Sequence, residues 1–89
     1  MEPTTYTLTI TVLDVPGILV RVAQVFARRG CNIRSLHVEP QGTTRWSLMT
    51  IEVRDVTQIS QITRQLEKLV DVSHVEVAHF ATKGVPKND

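Results

Sequence analysis

The sequence has 89 residues, which is enough for one small domain, because chains divide into several domains only well above about 200 residues. Hydrophobic residues make up 42% of it, which argues against global disorder, but a domain of this size has a thin core that a second copy would enlarge. Ten basic and nine acidic residues give a net charge of +1. The composition therefore provides no field that would attract nucleic acid or an anionic membrane.

The cellular compartment is indicated by cysteine usage and by the lack of long apolar segments. Cys31 has no second cysteine with which to form an intramolecular disulfide, as is usual in a reducing compartment. No apolar run approaches the roughly 18–20 residues of a membrane span. Residues 1–5 also lack the basic and then apolar pattern of a signal peptide. We therefore expect a cytoplasmic protein.

The first half of the sequence predicts a strand, a helix and a second strand. Apolar residues alternate with threonines over residues 6–12, which is the pattern of a half-buried strand. Pro16 and Gly17 break this pattern and favour the start of a helix. Apolar residues then repeat at helical spacing, at Ile18, Leu19, Val22, Ala23 and Phe26. A basic pair followed by Gly30 ends the helix, and a second strand is predicted over residues 33–39.

The second half predicts a third strand, a second helix and a last strand. A turn over residues 40–44 precedes a strand over residues 45–53. Asp55 and Thr57 can cap the second helix. Its apolar stripe consists of Ile59, Ile62, Leu66 and Leu69. The last strand is predicted over residues 72–80, with Val75 and Val77 facing inward.

The element order βαββαβ predicts an α+β fold of the ferredoxin-like type, with a four-stranded antiparallel sheet and two helices on one face. Residues 1–80 are assigned to this domain. Residues 81–89 are polar and are predicted to form a flexible C-terminal tail.

No arrangement of side chains in the sequence indicates catalysis or metal binding. A nucleophilic enzyme needs a nucleophile beside a base, or two convergent carboxylates. Cys31 follows a glycine at a helix end, where the helix dipole would raise rather than lower the pKa of a thiol. The three histidines form no close-spaced ligand set. We therefore expect no catalytic residue, no metal site and no cofactor in this chain.

Residues 14–17 form a candidate binding loop between a strand end and a helix N-terminus. Unpaired N–H groups and the positive end of the helix dipole attract an anion there, and Gly17 lets a ligand approach the backbone. Asp14 adds one negative charge nearby. A free amino acid has this polarity, with its carboxylate at the helix start and its ammonium at Asp14. The spacing alone leaves an ordinary Pro-Gly turn with a solvated Asp14 equally open.

Asn32 lies at the other end of the same helix and could bind either end of an amino acid. By spacing alone, an ordinary turn residue is the favoured interpretation. A helix of about 12 residues separates Asn32 from Gly17 by roughly 18 Å, so one chain cannot close both around a small ligand. Two chains could do so if the second strand were a sheet edge that pairs with its symmetry mate.

Three blocks of sequence resemble a known family. They are FARRGCNIRSL at 26–36, LMTIEV at 48–53 and QLEKLVDVSHV at 65–75. Together with residues 11–25, which include the Pro-Gly loop, they resemble ACT domains, and more narrowly the small regulatory subunits of acetolactate synthase (acetohydroxyacid synthase, AHAS). The likeness covers about residues 6–78.

The resemblance implies a function and partners. Such subunits form homodimers with their second strands side by side, and they bind valine or a related branched-chain amino acid at the dimer interface. They also associate with a catalytic large subunit, raise its activity and make it sensitive to end product. Thiamine diphosphate, magnesium and FAD are expected in that catalytic partner.

The resemblance also implies roles for individual residues. Gly17 matches the ligand-loop glycine of the family and Asn32 its ligand-contacting asparagine. Ile18 and Leu19 align with helix-start positions whose amides face the ligand carboxylate. Asp14 falls where many members carry asparagine. Candidates for an apolar pocket around the effector side chain are Val15, Ile18 and Leu36.

Other functions use the same fold. An RNA-recognition module would carry stacking aromatics on its central strands, a small acyl-phosphatase would carry an arginine in the first loop, and a metal chaperone would carry paired cysteines. The sequence has none of these features. The remaining alternative is a free-standing ACT domain that regulates another enzyme of amino-acid metabolism.

Because many small subunits have a further C-terminal domain, we expect a short form or a piece of a longer chain.

Overall fold

A computed structural model describes residues 4–54 and 58–81, and six elements follow one another in them. In chain order they are β1 (Thr4–Leu13), α1 (Ile18–Arg28), β2 (Ile33–Pro40), β3 (Trp46–Arg54), α2 (Ile59–Glu67) and β4 (Val72–Ala81). The predicted order βαββαβ is confirmed.

The strand boundaries lie within two residues of the predicted ones. Asp55 and Thr57, which were predicted to cap α2, lie outside the described residues, and the N-cap position of the helix is Gln58. Ala81, which was assigned to the tail, is the last residue of β4, and residues 82–89 lie outside the described residues.

The four strands form one antiparallel sheet in the order β2-β3-β1-β4. The two central strands are therefore β1 and β3, and both β2 and β4 lie at an edge. Leu8 of β1 lies opposite Ile51 of β3 and Val77 of β4, so these residues share one face. The alternation of threonine and apolar residues in β1 separates this face from the opposite one, as predicted.

The core lies between one face of the sheet and the two helices. Phe26 of α1 and Leu66 of α2 are fully buried there. The strands contribute Leu8, Ile10, Val12, Met49, Ile51 and Val53, each at most 1% exposed. Because both helices contribute buried residues to this one cluster, they cover the same face, as the ferredoxin-like fold requires.

Two residues assigned to the inward pattern are more exposed than predicted. Val77 shares the inner face, but its side chain is 41% exposed, because β4 is an edge strand that the core covers only in part. Leu19 was included in the helical stripe of α1, yet it is 46% exposed at the first turn of that helix. The stripe that packs on the sheet instead runs through Ile18, Val22, Val25 and Phe26.

Candidate effector-binding site

The loop between β1 and α1 is fixed by three backbone hydrogen bonds. The Asp14 N–H donates to the carbonyl of Arg45 at 2.8 Å, which ties the loop to the residue before β3. The Val15 N–H donates to the Leu13 carbonyl at 2.9 Å, and the Ile18 N–H donates to the Val15 carbonyl at 3.2 Å. These hydrogen bonds tie the loop to the residue before β3 and lead the chain directly into α1.

Gly17 is the N-cap residue of α1, with a φ of 84° in the left-handed region. Only glycine adopts this conformation at no steric cost. A Cβ at this position would have no atom within 4 Å, so the space beside the backbone is open. This open space is compatible with the predicted approach of a ligand to the backbone at Gly17.

The start of α1 carries donors that nothing in the described chain engages. Within residues 4–54 and 58–81, the N–H groups of Gly17, Leu19 and Val20 have no acceptor. No side chain caps the helix, and its first turn contains no acidic residue. Free N–H groups and the helix dipole together favour an anion at this position. The side chain of Asp14 is exposed three residues before the glycine and provides the negative charge of the loop.

The predicted apolar wall is divided between the core and the surface. Ile18 is 7% exposed and belongs to the core, so little of its side chain is available to a ligand. Val15 is half-buried, and Leu19 presents the exposed apolar side chain of the first turn. Leu36 is half-buried on β2 and lies opposite Ile51, on the side of the sheet that faces the helices.

Asn32 is exposed and lies at the far end of α1 from Gly17. The 11 residues of the helix span about 16 Å at 1.5 Å per residue. The strand register shows the same separation, because β1 ends where Leu13 lies opposite Trp46, whereas β2 begins where Ile33 lies opposite Val53. The structure therefore does not bring Asn32 and Gly17 of one chain together, as expected.

Val38 of β2 was not among the site residues predicted from the sequence. This residue lies two positions after Leu36, opposite Met49, and therefore on the same helix-facing side of the edge strand. Its side chain is 42% exposed. The period-two pattern of β2 contained this signal, but only the strand order shows that the residue lies at an edge of the sheet.

Cys31 is partly buried after the end of α1, and burial raises the pKa of its thiol. The sequence predicted this direction from the helix dipole, but desolvation is the cause that the structure identifies. At neutral pH the thiol is the protonated, weakly nucleophilic form. We expect iodoacetamide to alkylate Cys31 several-fold more slowly in the folded protein than in the urea-unfolded chain at the same pH, measured by mass spectrometry. Equal rates would contradict the raised pKa and partial burial.

His37 and His74 have exposed side chains, each next to a carboxylate of its own strand. His74 Nε2 lies 3.1 Å from Glu76 Oε2, and His37 Nε2 lies 4.0 Å from Glu39 Oε1. Within the described ranges, no group of three or more His, Cys, Asp or Glu side chains is placed to hold a metal ion. In the same part of the chain, no helix is both long enough and apolar enough to cross a membrane.

Comparison with known protein families shows to which family this chain belongs. Residues 8–74 match the profile described as "AHAS small subunit-like ACT domain". The chain belongs to this family. The match includes the loop of Asp14 and Gly17, all of α1, β2, β3 and α2, and Asn32 between α1 and β2.

Several curated proteins resemble this AHAS-type ACT domain. The acetolactate synthase small subunit of Mycobacterium bovis is 49% identical over 73 residues, which cover 81% of this chain and 44% of that protein. The probable acetolactate synthase small subunit of Methanothermobacter thermautotrophicus is 45% identical over 76 residues, which cover 84% of this chain and 45% of that protein. The chain thus spans less than half the length of these relatives.

One solved structure supports the same relationship, and a second shares the fold. The acetolactate synthase small subunit of Thermotoga maritima superposes with a TM-score of 0.72 at 36% identity, covering 82% of this chain and 46% of that one. The ACT domain of a GTP pyrophosphokinase from Chlorobium tepidum superposes with a TM-score of 0.70 at 15% identity, covering 88% of this chain and all of that one. The second similarity concerns the fold alone.

Proposed function

We propose that this chain is a regulatory ACT domain of acetolactate synthase in branched-chain amino acid biosynthesis. It binds valine or a related amino acid at a homodimer interface and modulates a thiamine-diphosphate-dependent catalytic subunit, without catalysing a reaction itself. Family membership and the names of the relatives support the regulatory assignment.

The main support for the binding proposal is that the N-terminus of α1 has unengaged N–H groups with open space beside them. The unengaged N–H groups at Gly17, Leu19 and Val20 suit a carboxylate, and the space beside the glycine is unobstructed. The exposed carboxylate of Asp14 suits the ammonium group of the same ligand. A zwitterionic amino acid satisfies both ends of this site, whereas a simple anion satisfies only one.

The edge position of β2 supports a homodimer. Edge strands have unpaired N–H and C=O groups that pair readily with a second copy, and two-fold symmetric pairing is the commonest form of such assembly. Antiparallel pairing of two β2 strands reverses one chain relative to the other. The Asn32 end of one protomer then lies at the same end of the joined sheet as the Gly17 loop of its partner.

This arrangement provides an apolar environment for the effector side chain. Leu36 and Val38 of the edge strand are apolar, face the helices and are not fully buried, and Leu19 is exposed in the first turn of α1. Effector bound between two protomers would stabilise one arrangement of the dimer. The catalytic subunit would respond through its different affinity for that arrangement.

Isothermal titration calorimetry with a panel of amino acids tests the binding proposal directly. We expect valine, leucine or isoleucine to bind with two sites per dimer, and lysine and glutamate not to bind, because their charged side chains would be placed among apolar residues. Activation of the catalytic subunit is assayed in parallel. Absence of binding by every branched-chain amino acid would contradict the proposal.

A ligand analogue isolates the role of Asp14. We expect Asp14→Ala to weaken valine binding about tenfold, because a charge-assisted hydrogen bond to the ammonium contributes about 1.5–3 kcal/mol. Isovalerate has the same side chain and carboxylate but no ammonium group. We expect it to bind more weakly than valine, and we expect Asp14→Ala to change its affinity less than twofold. Calorimetry measures the affinity of each ligand for the wild type and for the variant. An equal loss for both ligands would show that Asp14 supports the loop and does not bind the ammonium.

A further inference from the structure

The two helices enclose a groove on the side of the molecule that the proposed effector site does not use. The cavity has a volume of about 280 Å³ and is lined by Val25, Arg28, Arg29 and Gln65. Small-molecule sites usually occupy about 300–1,000 Å³. A groove of this size suits one or two side chains of a partner protein better than a cofactor.

Within residues 4–54 and 58–81, the side chain of Arg29 has only neutral hydrogen-bond partners. Its guanidinium donates to Gln61 Oε1 at 2.6 Å and to Gln58 Oε1 at 3.3 Å. These acceptors are neutral amides, so they orient the arginine but leave its charge. Arg21, on the same helix, is different, because its guanidinium forms an ion pair with Asp71 at 2.5 Å.

Arg28 is exposed, and among the described residues it has neither an ion pair nor a side-chain hydrogen bond. Basic side chains often stabilise the C-terminus of a helix by binding its free carbonyl groups. Here, however, the carbonyls of Phe26 and Ala27 already accept N–H groups from Arg29, Gly30 and Cys31 at 3.0–3.1 Å. The end of α1 offsets only about half an elementary charge, which leaves the lining of the groove net positive.

We propose that this groove, defined by Val25, Arg28, Arg29 and Gln65, binds an acidic segment of the catalytic subunit, an inference that rests on the proposed regulatory function. Charge complementarity favours this occupant, because the described residues of the lining include two guanidinium groups and no carboxylate. Guanidinium groups bind carboxylates through paired hydrogen bonds, and Gln58 and Gln61 hold one of them in place. Val25, 8% exposed, provides the apolar floor under the methylene groups of an aspartate or glutamate.

The groove is compatible with the proposed dimer. The groove lies between the helices at the C-terminal part of α1, whereas the proposed effector contacts lie at its N-terminus. The proposed dimer edge is β2, a strand that does not contribute to the lining. One subunit can therefore pair with its copy, bind an effector and contact the catalytic subunit through three separate surfaces.

Charge reversal of Arg28 tests the inference on the full chain together with the catalytic subunit of acetolactate synthase from the same organism. We expect Arg28→Glu to weaken association at least tenfold in biolayer interferometry, and increasing salt to weaken the wild type more than the variant. Arg64→Glu is the matched control, because it gives the same change of net charge in the last turn of α2, outside the lining. It should change the affinity less than twofold. Valine affinity of the isolated protein should stay unchanged in both variants.

The outcomes separate the groove from the proposed function. If the wild type binds the catalytic subunit and Arg28→Glu binds equally well, or if Arg64→Glu loses as much as Arg28→Glu, the groove is not the docking site, although the regulatory function stands. If the wild type does not bind the catalytic subunit at all, both the function and the inference are wrong. Binding of a short RNA that depends on Arg28, with no such dependence for the catalytic subunit, would assign the groove to another partner.

Discussion

Replacement of Gly17 by aspartate is expected to weaken valine binding at least a hundredfold. The open space beside this glycine means that the new carboxylate would lie next to the position proposed for the carboxylate of the effector. Two like charges about 4 Å apart repel by roughly 4 kcal/mol at an effective dielectric constant of about 20. A hundredfold loss corresponds to about 2.7 kcal/mol, which allows for partial exposure to solvent. Calorimetric titration with valine measures the change.

Gly17→Asn is the control for this variant. Asparagine and aspartate have the same shape, and both tolerate the left-handed conformation that Gly17 adopts at a φ of 84°. Each variant should therefore lose about 1 kcal/mol of unfolding free energy in urea denaturation, while only the aspartate variant should lose valine binding almost completely. Equal valine affinities in the two variants would show that the carboxylate does not bind at the start of α1.

Replacement of Val38 by lysine is expected to convert the proposed dimer into monomers. Val38 lies on the helix-facing side of the edge strand β2 and is 42% exposed in the single chain. Its burial in a dimer would contribute roughly 1.5 kcal/mol per protomer, and a lysine at an edge also opposes strand pairing. The dimer dissociation constant should rise at least a hundredfold in sedimentation equilibrium measurements.

Val77→Lys is the matched control at the other edge of the sheet. Val77 lies on β4, shares the helix-facing side and is 41% exposed, so the substitution is chemically the same. This variant should remain dimeric. If Val77→Lys dissociates the dimer while Val38→Lys leaves it intact, the chains pair through β4, and the proposed placement of Asn32 opposite Gly17 is wrong.

Much of the fold could be predicted because the local signals agree with one another. The alternation of threonine with apolar residues specifies one buried face of β1, and Pro16 and Gly17 end that strand and begin α1. At the other end of α1, the chain leaves the helix through Gly30, which adopts a φ of 67°. Each of these signals acts over a few residues, so the sequence alone contains it.

Features that depend on long-range packing could not be predicted in the same way. The exposure of Leu19 and Val77 follows from where the helices and edge strands lie on the sheet, which periodicity does not specify. The groove beside Arg29 arises because α1 and α2 pack together, and the hydrogen bond from Arg29 to Gln61 joins residues 32 positions apart. No local pattern in the sequence connects these two residues.

The candidate site combines a local feature that could be predicted from the sequence with a long-range feature that could not. The loop from Asp14 to Gly17 is contiguous, so its backbone geometry could be inferred from a few residues. Asn32 could be related to that loop only through a second chain, because α1 separates the two positions by about 16 Å at 1.5 Å per residue. A dimer interface depends on which strand lies at the edge of the sheet, and strand order is a property of the whole fold.

A crystal structure of the 89-residue chain grown with valine would show the proposed dimer and the proposed effector site together. We expect a two-fold dimer with an eight-stranded sheet continuous across two β2 strands. We also expect valine between Gly17 of one protomer and Asn32 of its partner, with the valine carboxylate at the N-terminus of α1. A monomer, a dimer joined through its helices, or valine bound elsewhere would contradict the proposal.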